Sequence, residues 1–323
     1  MTEAASPGFT LRACTPDDRE AIMALISVCE AEEMGSPDPA MLDGISVTWQ
    51  RSDLDWEKDT WLALDSDGQQ VLGYAHLQPV ERTDLQGFAS VRPDARGRGI
   101  GGTLLARIER RTAMQMERFA PDTRVVLQQW ITAPNEPAHR LLEQSGYAVV
   151  RHIWGMIIEL SEEPERVTWP EGITLRTPIS EADLRTSHAT YREAFQDHWG
   201  YAEQPYEDFA RSMIEIDTFD PSLWFLAMDG DDVAGVLLGE MLPDRGWVND
   251  LGVRRPWRGR GLGEALLRYA FGEFYRRGLR SVALGVDSQN LTGATRLYER
   301  AGMRVERQYD ICEKVLQSGM ADD

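Results

Sequence analysis

The sequence has few cysteines, and its histidines are scattered. The three cysteines, Cys14, Cys29 and Cys312, are odd in number and far apart, so they predict neither a disulfide framework nor a zinc-binding spacing. No pair among the five histidines has the spacing of metal ligands. We therefore predict no metal site.

Long apolar segments are also missing. No run of about 18 apolar residues could span a membrane, and the first residues, which include Glu3, Arg12 and Asp17, form no apolar signal core. A soluble cytoplasmic protein without a membrane partner is the simplest expectation.

Positive charge is in short supply. The chain has 34 Lys and Arg against 53 Asp and Glu, a net charge of −19, which argues against nonspecific nucleic-acid binding. The same charge suits a cationic acceptor such as an amine. With 42% hydrophobic and 27% charged residues over 323 positions, the chain is typical of a globular protein of two domains.

A glycine-rich turn occurs twice, each time between a strand-like and a helix-like segment. The shared pattern Arg-Gly-Arg-Gly-(Ile/Leu)-Gly covers Arg96–Gly101 and Arg258–Gly263, which are 162 residues apart. Glycines let a pyrophosphate approach backbone N–H groups, and the following helix adds unpaired N–H groups and a favourable dipole. The repeat therefore predicts two related domains and a phosphorylated ligand.

The two loops differ from other phosphate-binding loops. Neither ends in the Gly-Lys-Ser/Thr of a P-loop, and their glycine spacing differs from the G-x-G-x-x-G of dinucleotide-binding folds. Downstream, apolar residues four apart predict a buried helical stripe in each half. These residues are Leu104, Ile108, Thr112 and Met116, and Leu266, Ala270 and Phe274.

Strand and helix patterns predict an α/β fold. An acidic, proline-bearing segment at 160–172 marks the boundary, which gives domains at 1–160 and 161–323. Each half predicts a mixed, mostly antiparallel sheet flanked by helices. In the second half the predicted elements are strands at 172–176, 223–228, 233–242, 247–253, 282–286 and 303–316, and helices at 181–195, 205–214, 262–277 and 291–300. In the first half they are strands at 10–13, 60–65, 71–79 and 87–91 and a helix at 17–31, followed by helix, strand, helix and strand.

The loops and the segment after them resemble the GCN5-related N-acetyltransferase (GNAT) superfamily. The loop resembles its acetyl-CoA loop, and Asn290, Ala294, Leu297, Tyr298, Glu299 and Gly302 match its second hallmark, Asn…Ala-x-x-Leu-Tyr-Glu-x-x-Gly. The resemblance covers nearly the whole chain as two tandem copies, an arrangement similar to that of mycothiol synthase-like actinobacterial acetyltransferases. It implies acetyl-CoA as cofactor.

The resemblance also implies which residues bind the cofactor. In the second half these are Leu251, Val253, Arg258, Gly259, Arg260, Gly261, Leu262, Gly263, Asn290, Ala294 and Tyr298. In the first half they are Val91, Arg96, Gly97, Arg98, Gly99, Gly101 and Gly102.

The catalytic prediction falls on the second half. Tyr298 is the candidate acid that protonates the departing thiolate, whereas Leu142 stands at the matching position of the first half and can neither donate nor accept a proton. An amine with a pKa of about 10.4 is mostly protonated at neutral pH, so a general base is expected. Glu240 and Asp250, each in an apolar strand, are the two candidates for it.

The acceptor is the least defined part. Asp197, His198, Trp199, Tyr201 and Tyr206 lie between two predicted helices, where the family places its acceptor pocket. The same aromatics would equally serve as core packing between the helices. We expect an N-acetyltransferase for a small-molecule amine, such as an antibiotic, amino sugar or amino-acid-like compound, that is a monomer or homodimer. A protein lysine or N-terminus as acceptor and a non-catalytic acyl-CoA sensor are the alternatives.

Overall fold

The computed structural model forms two compact units, each built around its own sheet. It describes residues 8–51, 53–78, 83–196, 198, 199, 201, 203–216, 218–290 and 293–319. Unit 1 comprises residues up to His152 and from Gln308 onwards, and unit 2 comprises Ile153–Arg307. Among the described residues, no helix is long and apolar enough to cross a membrane.

Unit 1 begins with a strand and three helices that precede a meander of strands. Its elements in chain order are β1 (Phe9–Arg12), α1 (Arg19–Met34), α2 (Pro39–Gln50), α3 (Trp56–Asp59), β2 (Thr60–Asp65), β3 (Val71–Leu77), β4 (Asp84–Val91), α4 (Ile100–Ala113), β5 (Val125–Thr132) and α5 (Glu136–Gln144). Strand β6 (Ala148–Glu159) then leads from unit 1 into unit 2.

Unit 2 repeats this order. Its elements are β7 (Ile173–Arg176), α6 (Glu181–Phe195), α7 (Tyr206–Met213), β8 (Trp224–Asp229), β9 (Asp232–Met241), β10 (Gly246–Val253), α8 (Leu262–Arg276), β11 (Ser281–Asp287) and α9 (Ala294–Arg300). Strand β12 (Arg304–Gln317) begins in unit 2 and ends in unit 1.

Each sheet is mixed and mostly antiparallel, which confirms the predicted fold class. The strand order is β1-β2-β3-β4-β5-β12 in unit 1 and β6-β11-β10-β9-β8-β7 in unit 2. The parallel pairs are β4 with β5 and β10 with β11. All other neighbours within the two sheets are antiparallel.

The last strand of each sheet comes from the other half of the sequence. Residues Tyr309–Gln317 of β12 pair with β5 in unit 1, and Ile153–Glu159 of β6 pair with β11 in unit 2. The sequence-based domains at 1–160 and 161–323 assigned both strands to the half in which they stand. Strand propensity does not identify a partner, and here the partners are distant in sequence.

The helix after each glycine loop packs on its sheet through the predicted stripe. Leu104, Ile108 and Thr112 of α4 are fully buried, as are Leu266, Ala270 and Phe274 of α8. Met116 lies beyond the end of α4, in a short 3-10 turn. The bounds of α6 and β2 agree with those predicted.

Two helices of unit 1 were not predicted from the sequence, α2 and the four-residue α3. Helix α2 begins after Asp38, whose side chain accepts a hydrogen bond from the Ala40 N–H at 3.1 Å, and Pro39 occupies its first position. Asp followed by Pro is a start signal. The β-branched residues and Gly44 within the helix concealed it, and burial of Ile45 and Trp49 stabilises it instead.

Gly246 of β10 lies directly under the Phe274 ring of α8, and this packing predicts how one added methyl group changes stability. A Cβ at Gly246 would lie 2.5 Å from the Phe274 ring, so we expect Gly246→Ala to lower the free energy of unfolding by about 1–3 kcal/mol. Gly272 in the same helix faces open space, so Gly272→Ala is the matched control and should raise the free energy by roughly 0.5–1 kcal/mol. Urea unfolding measures both. Equal effects of the two substitutions would contradict this packing.

Candidate active site

The second glycine loop has the backbone that the sequence predicts for a phosphate cradle. Gly259 and Gly261 adopt φ values of +74° and +79°, and a Cβ on either would meet nothing within 4 Å. Gly261 is also the N-cap of α8, so the N–H groups of the first helical turn are directed toward the loop. Gly97 and Gly99 repeat this geometry in unit 1, with φ of +79° and +83°.

The third glycine of the loop serves packing. A Cβ at Gly263 would lie 2.9 Å from Leu297 Cδ1, so glycine lets α9 approach α8 closely. In unit 1 a Cβ at the corresponding Gly101 would lie 3.2 Å from Leu141 Cδ2. The loop glycines thus serve two purposes, turn geometry and helix packing.

The arginine that opens the second loop folds back onto the protein. Arg258 Nε donates to the Val253 carbonyl and Arg258 Nη2 to the Ala194 carbonyl, both at 2.9 Å. It thereby fixes the loop to the end of β10 and to α6. Arg260 is more exposed, 3.8 Å from the Asp229 carboxylate. A phosphate at this loop would be received mainly by backbone N–H groups, with Arg260 as the nearby cation.

A wedge opens between β10 and β11. Their parallel pairing joins Gly246–Val248 to Val282–Leu284 and extends no further in the described part of the chain. Both strands nevertheless continue, to Val253 and Asp287. One backbone edge of β10 therefore faces a cavity of about 290 Å³ beside the loop.

The wedge collects most of the cofactor residues predicted in unit 2. The cavity is lined by Leu251, Val253, Arg258, Gly259, Gly261, Leu262, Gly263, Ala294 and Tyr298 among others. Asn290 lies in the turn after β11, where its N–H donates to the Asp287 carbonyl at 3.0 Å. Trp257 also lines the cavity and donates from Nε1 to Asp229 at 2.8 Å. No sequence signal marked Trp257 as a site residue.

A bulge in β10 places Asp250 on the face of the sheet that points away from α8 and its core. The antiparallel register with β9 shifts between Val248 and Asp250, so Asn249 is an extra residue. Val248 packs in the core under α8, and the bulge turns Asp250 to the other face of the sheet, beside Leu238 of β9. Without the extra residue, strand alternation would direct Asp250 into that core.

Asp250 and Tyr298 are electrostatically coupled. Burial raises the pKa of Asp250 from its ordinary value to about 7. Burial also raises the pKa of Tyr298, and the negative charge of Asp250 raises it further. The structure thus brings the candidate acid and one candidate base into the same part of unit 2.

Glu240 lies on the same face of the sheet as Asp250. It is directly opposite Trp247 in the β9–β10 register and is largely buried. Its Oε2 accepts a hydrogen bond from Thr218 Oγ1 at 2.9 Å. The charge of Asp250 raises the pKa of Tyr298, and this favours Asp250 over Glu240 as the base.

The residues predicted to bind the acceptor, as far as the structure describes them, have different surroundings. His198 lines the wedge cavity and packs on the Phe195 ring, with centroids 4.4 Å apart. Tyr206, at the start of α7, packs against His188 and lies under the Arg185 guanidinium, 3.9 Å from its ring centroid. Helix packing thus accounts for Tyr206.

The remaining three acceptor predictions have different outcomes. Trp199 is 43% exposed. Tyr201 donates its N–H to the His198 carbonyl at 3.1 Å and so closes a turn. Asp197 lies outside the described residues.

Unit 1 has the same wedge with different chemistry. Pairing of β4 with β5 ends at Gly87 and Gln129, although β4 continues to Val91 and β5 to Thr132. Phe88 stands three residues before the end of β4, as Asp250 does in β10, and Leu142 stands where α9 has Tyr298. Unit 1 therefore has hydrocarbon side chains at both positions where unit 2 has Asp250 and Tyr298.

The loop arginines of unit 1 also bond within the protein. Arg96 forms an ion pair with Glu33, which also accepts from Thr132 Oγ1 and, at 2.7 Å, from Asn135 Nδ2. Arg98 donates to the Gly8 carbonyl at 2.6 Å. No sequence signal marked Glu33, because its three partners are distant in sequence. In the described ranges no group of three or more His, Cys, Asp or Glu side chains is arranged to hold a metal.

Sequence comparison agrees with this architecture. The profile of the acetyltransferase (GNAT) family matches residues 187–303, and that of an acetyltransferase (GNAT) domain matches residues 57–149. The mycothiol acetyltransferase of Geodermatophilus obscurus is 34% identical over 75% of this chain and 77% of its own length. That of Thermobispora bispora is 30% identical over 89% of this chain and 93% of its own.

Solved structures give the same result. A GCN5-related N-acetyltransferase from Sphaerobacter thermophilus superposes with a TM-score of 0.84 at 36% identity and covers 97% of each chain. A tandem GNAT protein from the clavulanic acid biosynthesis pathway, at 17% identity and a TM-score of 0.64, shares the fold. The chain belongs to the GNAT family and is an N-acetyltransferase with two GNAT domains. Enzymes of this family use acetyl-CoA as the acetyl donor.

The raised pKa of Asp250 predicts a pH-dependent change in stability. A carboxyl with a folded pKa of about 7 and an unfolded value near 3.8 loses stability as pH rises between these values. Asp250→Asn cannot ionise, so its free energy of unfolding relative to wild type should increase by ~4 kcal/mol from about pH 4 to about pH 8. Urea unfolding at several pH values measures this change. A difference that stays constant with pH would show that Asp250 is not desolvated.

Proposed function

We propose that unit 2 transfers an acetyl group from acetyl-CoA to the amine of a small molecule, with Asp250 as general base and Tyr298 as general acid. The observation that carries this proposal is the coupling of these two residues, with Tyr298 lining the wedge beside the glycine loop. Glu240 is the alternative base.

The residues of the wedge fit an acyl-CoA. The loop from Gly259 to Gly263 and the first turn of α8 would hold the pyrophosphate through backbone N–H groups, with Arg260 nearby. The backbone edge of Leu251–Val253 is free of a strand neighbour on the β11 side and would pair with the amides of the pantetheine arm. When bound, the thioester supplies an activated acetyl group.

Asp250 would prepare the amine. A pKa of about 7 leaves a substantial fraction of Asp250 ionised at neutral pH and keeps its proton affinity high. It would accept a proton from the attacking amine, directly or through one water. Burial would thus give Asp250 the pKa that a general base needs at neutral pH.

Tyr298 would protonate the leaving sulfur. Burial and the nearby Asp250 both keep its phenol protonated at neutral pH, so it can donate a proton as the bond from sulfur to the acetyl carbon breaks. In unit 1, Phe88 and Leu142 offer neither function. The proposal therefore places the chemistry in unit 2.

A small-molecule acceptor is supported by the relatives. Two proteins that match most of this chain at 30% and 34% identity are named mycothiol acetyltransferases. The net charge of −19 would draw cationic amines toward the protein at low salt. Protein acceptors are tested by incubating a proteome with labelled acetyl-CoA and analysing lysines and N-termini by mass spectrometry.

The assignment of Asp250 predicts a specific kinetic loss. With a panel of primary amines that includes an amino sugar, an amino-acid amide and an aminoglycoside, release of coenzyme A thiol is followed against pH. We expect kcat/KM of the wild type to rise with pH through about pH 7 as Asp250 ionises. Asp250→Asn should lower kcat by roughly 10²–10³-fold, and its kcat/KM should no longer rise near pH 7.

Glu240→Gln is the matched control for this experiment, since it neutralises the other carboxylate on the same face of the sheet. The kcat/KM of this variant should still rise with pH near pH 7. If the rise of kcat/KM near pH 7 disappears in Glu240→Gln and persists in Asp250→Asn, the base is Glu240.

The role of Tyr298 predicts a split between turnover and binding. Tyr298→Phe removes one hydroxyl and should lower kcat by about 10–100-fold, while the Kd for coenzyme A changes by less than about threefold. Tyr269→Phe, another tyrosine packed against the unit 2 core, is the control and should leave kcat unchanged. Stopped assays and isothermal titration measure the two quantities. Unchanged turnover in Tyr298→Phe would exclude the acid role.

A further inference from the structure

One strand glycine of unit 2 is required neither by packing nor by its backbone. Gly285 lies inside β11 and has no positive φ, and a Cβ on it would meet only Ile153 Cγ2, at 4.0 Å. The other described strand glycines of unit 2 would each bring a Cβ to 3.3 Å or less from a neighbouring atom; these are Gly155, Gly235, Gly239, Gly246 and Gly252. Glycine weakens a strand interior, and one of its known uses there is to let a ligand approach the backbone.

Gly285 lies on an uncovered part of the sheet. Leu284 and Val286 both pack in the core under α8, so strand alternation directs Gly285 to the opposite face. It is exposed there, although β11 lies between β6 and β10 in the middle of the strand order. The sheet therefore offers bare backbone at this position.

The bare position adjoins the proposed base. Val248 and Leu284 form the last described pair of β10 and β11. Beyond that pair come the bulge and Asp250 in β10 and Gly285 in β11, both on the face away from α8. Burial alone raises the pKa of Asp250, and no hydrogen bond from a described residue stabilises its charge. An amine at Asp250 would thus have open space beside it, above Gly285.

Unit 1 has a large side chain at the same position. Gly87 and Gln129 form the last described pair of β4 and β5, so Trp130 stands where unit 2 has Gly285. The Gln129 side chain lies over Gly87 on the side of α4, and Trp130 therefore faces the other side, as Gly285 does. Its indole lines the unit 1 cavity together with Phe88. The unit that lacks the carboxylate and the phenol thus also lacks the open space.

The geometry of the reaction favours a branch over a longer chain above Gly285. The amine nitrogen must lie at Asp250 and at the thioester carbon in the wedge at the same time, so the first carbon of the acceptor is held at the mouth of the wedge. Gly285 is the first residue of β11 beyond the last described pair and lies beside that point. A group on the first carbon meets it, whereas the far end of a linear chain extends away.

From these observations we propose that Gly285 determines acceptor specificity in unit 2, because it leaves room for a branch on the carbon that carries the reacting amine. The acceptor class is then a primary amine on a branched or ring carbon, as in amino-acid amides and amino sugars, rather than a linear alkylamine. The amine lies at Asp250, and one branch packs on the backbone of Gly285. This inference rests on the acetyl transfer proposed for unit 2.

Bisubstrate analogues test the space above Gly285 whatever the natural acceptor is. Each is a coenzyme A whose sulfur carries a CH2–CO–NH–R group, in which NH–R comes from L-valinamide or from its linear isomer 5-aminopentanamide. Coenzyme A anchors both probes at the glycine loop, and both R groups contain the same atoms. Isothermal titration gives the Kd of each probe and of coenzyme A. We expect the wild type to bind the valinamide probe roughly 3–10-fold more tightly than the linear one, because a branch is buried on the sheet.

Substitution of Gly285 locates this effect. Gly285→Trp introduces the residue of unit 1 and should weaken the valinamide probe by about tenfold or more, with less than about threefold change for the linear probe. The Kd of coenzyme A should also change by less than about threefold, since Gly285 does not line the wedge cavity. Gly285→Val is a smaller change that strands accept, and it keeps the test valid if Gly285→Trp fails to fold.

Ser281→Val is the control for these substitutions. It lies on the same face of β11 at the other end of the strand, opposite Glu159, and should leave every Kd as it is. All variants share the same unit 1, so any binding there is common to these comparisons. Thermal unfolding of each variant checks the fold.

Two results would overturn the proposal. One is equal affinity of the wild type for the two isomeric probes. The other is a Gly285 variant that binds the valinamide probe as the wild type does, or that loses coenzyme A to the same extent, which would assign Gly285 to the donor site. The Kd of coenzyme A for the wild type separates the two proposals. No binding of coenzyme A contradicts the acetyl transfer itself, whereas binding without discrimination between the probes contradicts only the role of Gly285.

Discussion

The separation of two parallel strands after three paired residues is the constraint on which the site depends. Beyond Val248 and Leu284, β10 and β11 no longer share hydrogen bonds, so the backbone of Leu251–Val253 is left with an open edge. An open backbone edge inside a protein is costly unless something pairs with it. The wedge is thus best explained as a place for a ligand rich in amides, and the glycine loop at its end adds a cradle for phosphate.

The same scaffold occurs twice, but its polar groups lie at different places. Unit 2 has Leu284 at the apex of the wedge and a carboxylate and a phenol near its mouth, at Asp250 and Tyr298. Unit 1 has an amide at the apex, Gln129, and hydrocarbons at Phe88 and Leu142. A duplicated fold can therefore keep one geometry while the polar groups of its two copies differ, because fold and site chemistry are set by different residues.

Local signals in the sequence predicted most of the elements and both loops. Apolar spacing in α8 and the glycines at 259 and 261 act over a few residues, and the structure has them as predicted. The exchange of β6 and β12 could not be predicted, since a strand pattern is silent about its partner. The same limit applies to the base: Glu240 and Asp250 look alike in sequence, and only the bulge at Asn249 and the electrostatic effect of Asp250 on Tyr298 separate them.

The position of Asp250 lowers the stability of the fold but gives this carboxylate the proton affinity that a general base needs. A carboxyl whose pKa is raised to about 7 by burial is a destabilising group at neutral pH, because its ionised form is better solvated in the unfolded chain. The bulge that exposes it to the α6 side also prevents its burial in the core under α8, where no partner for the charge would exist. Asn249 thus limits the loss of stability while it keeps the proton affinity that a base needs.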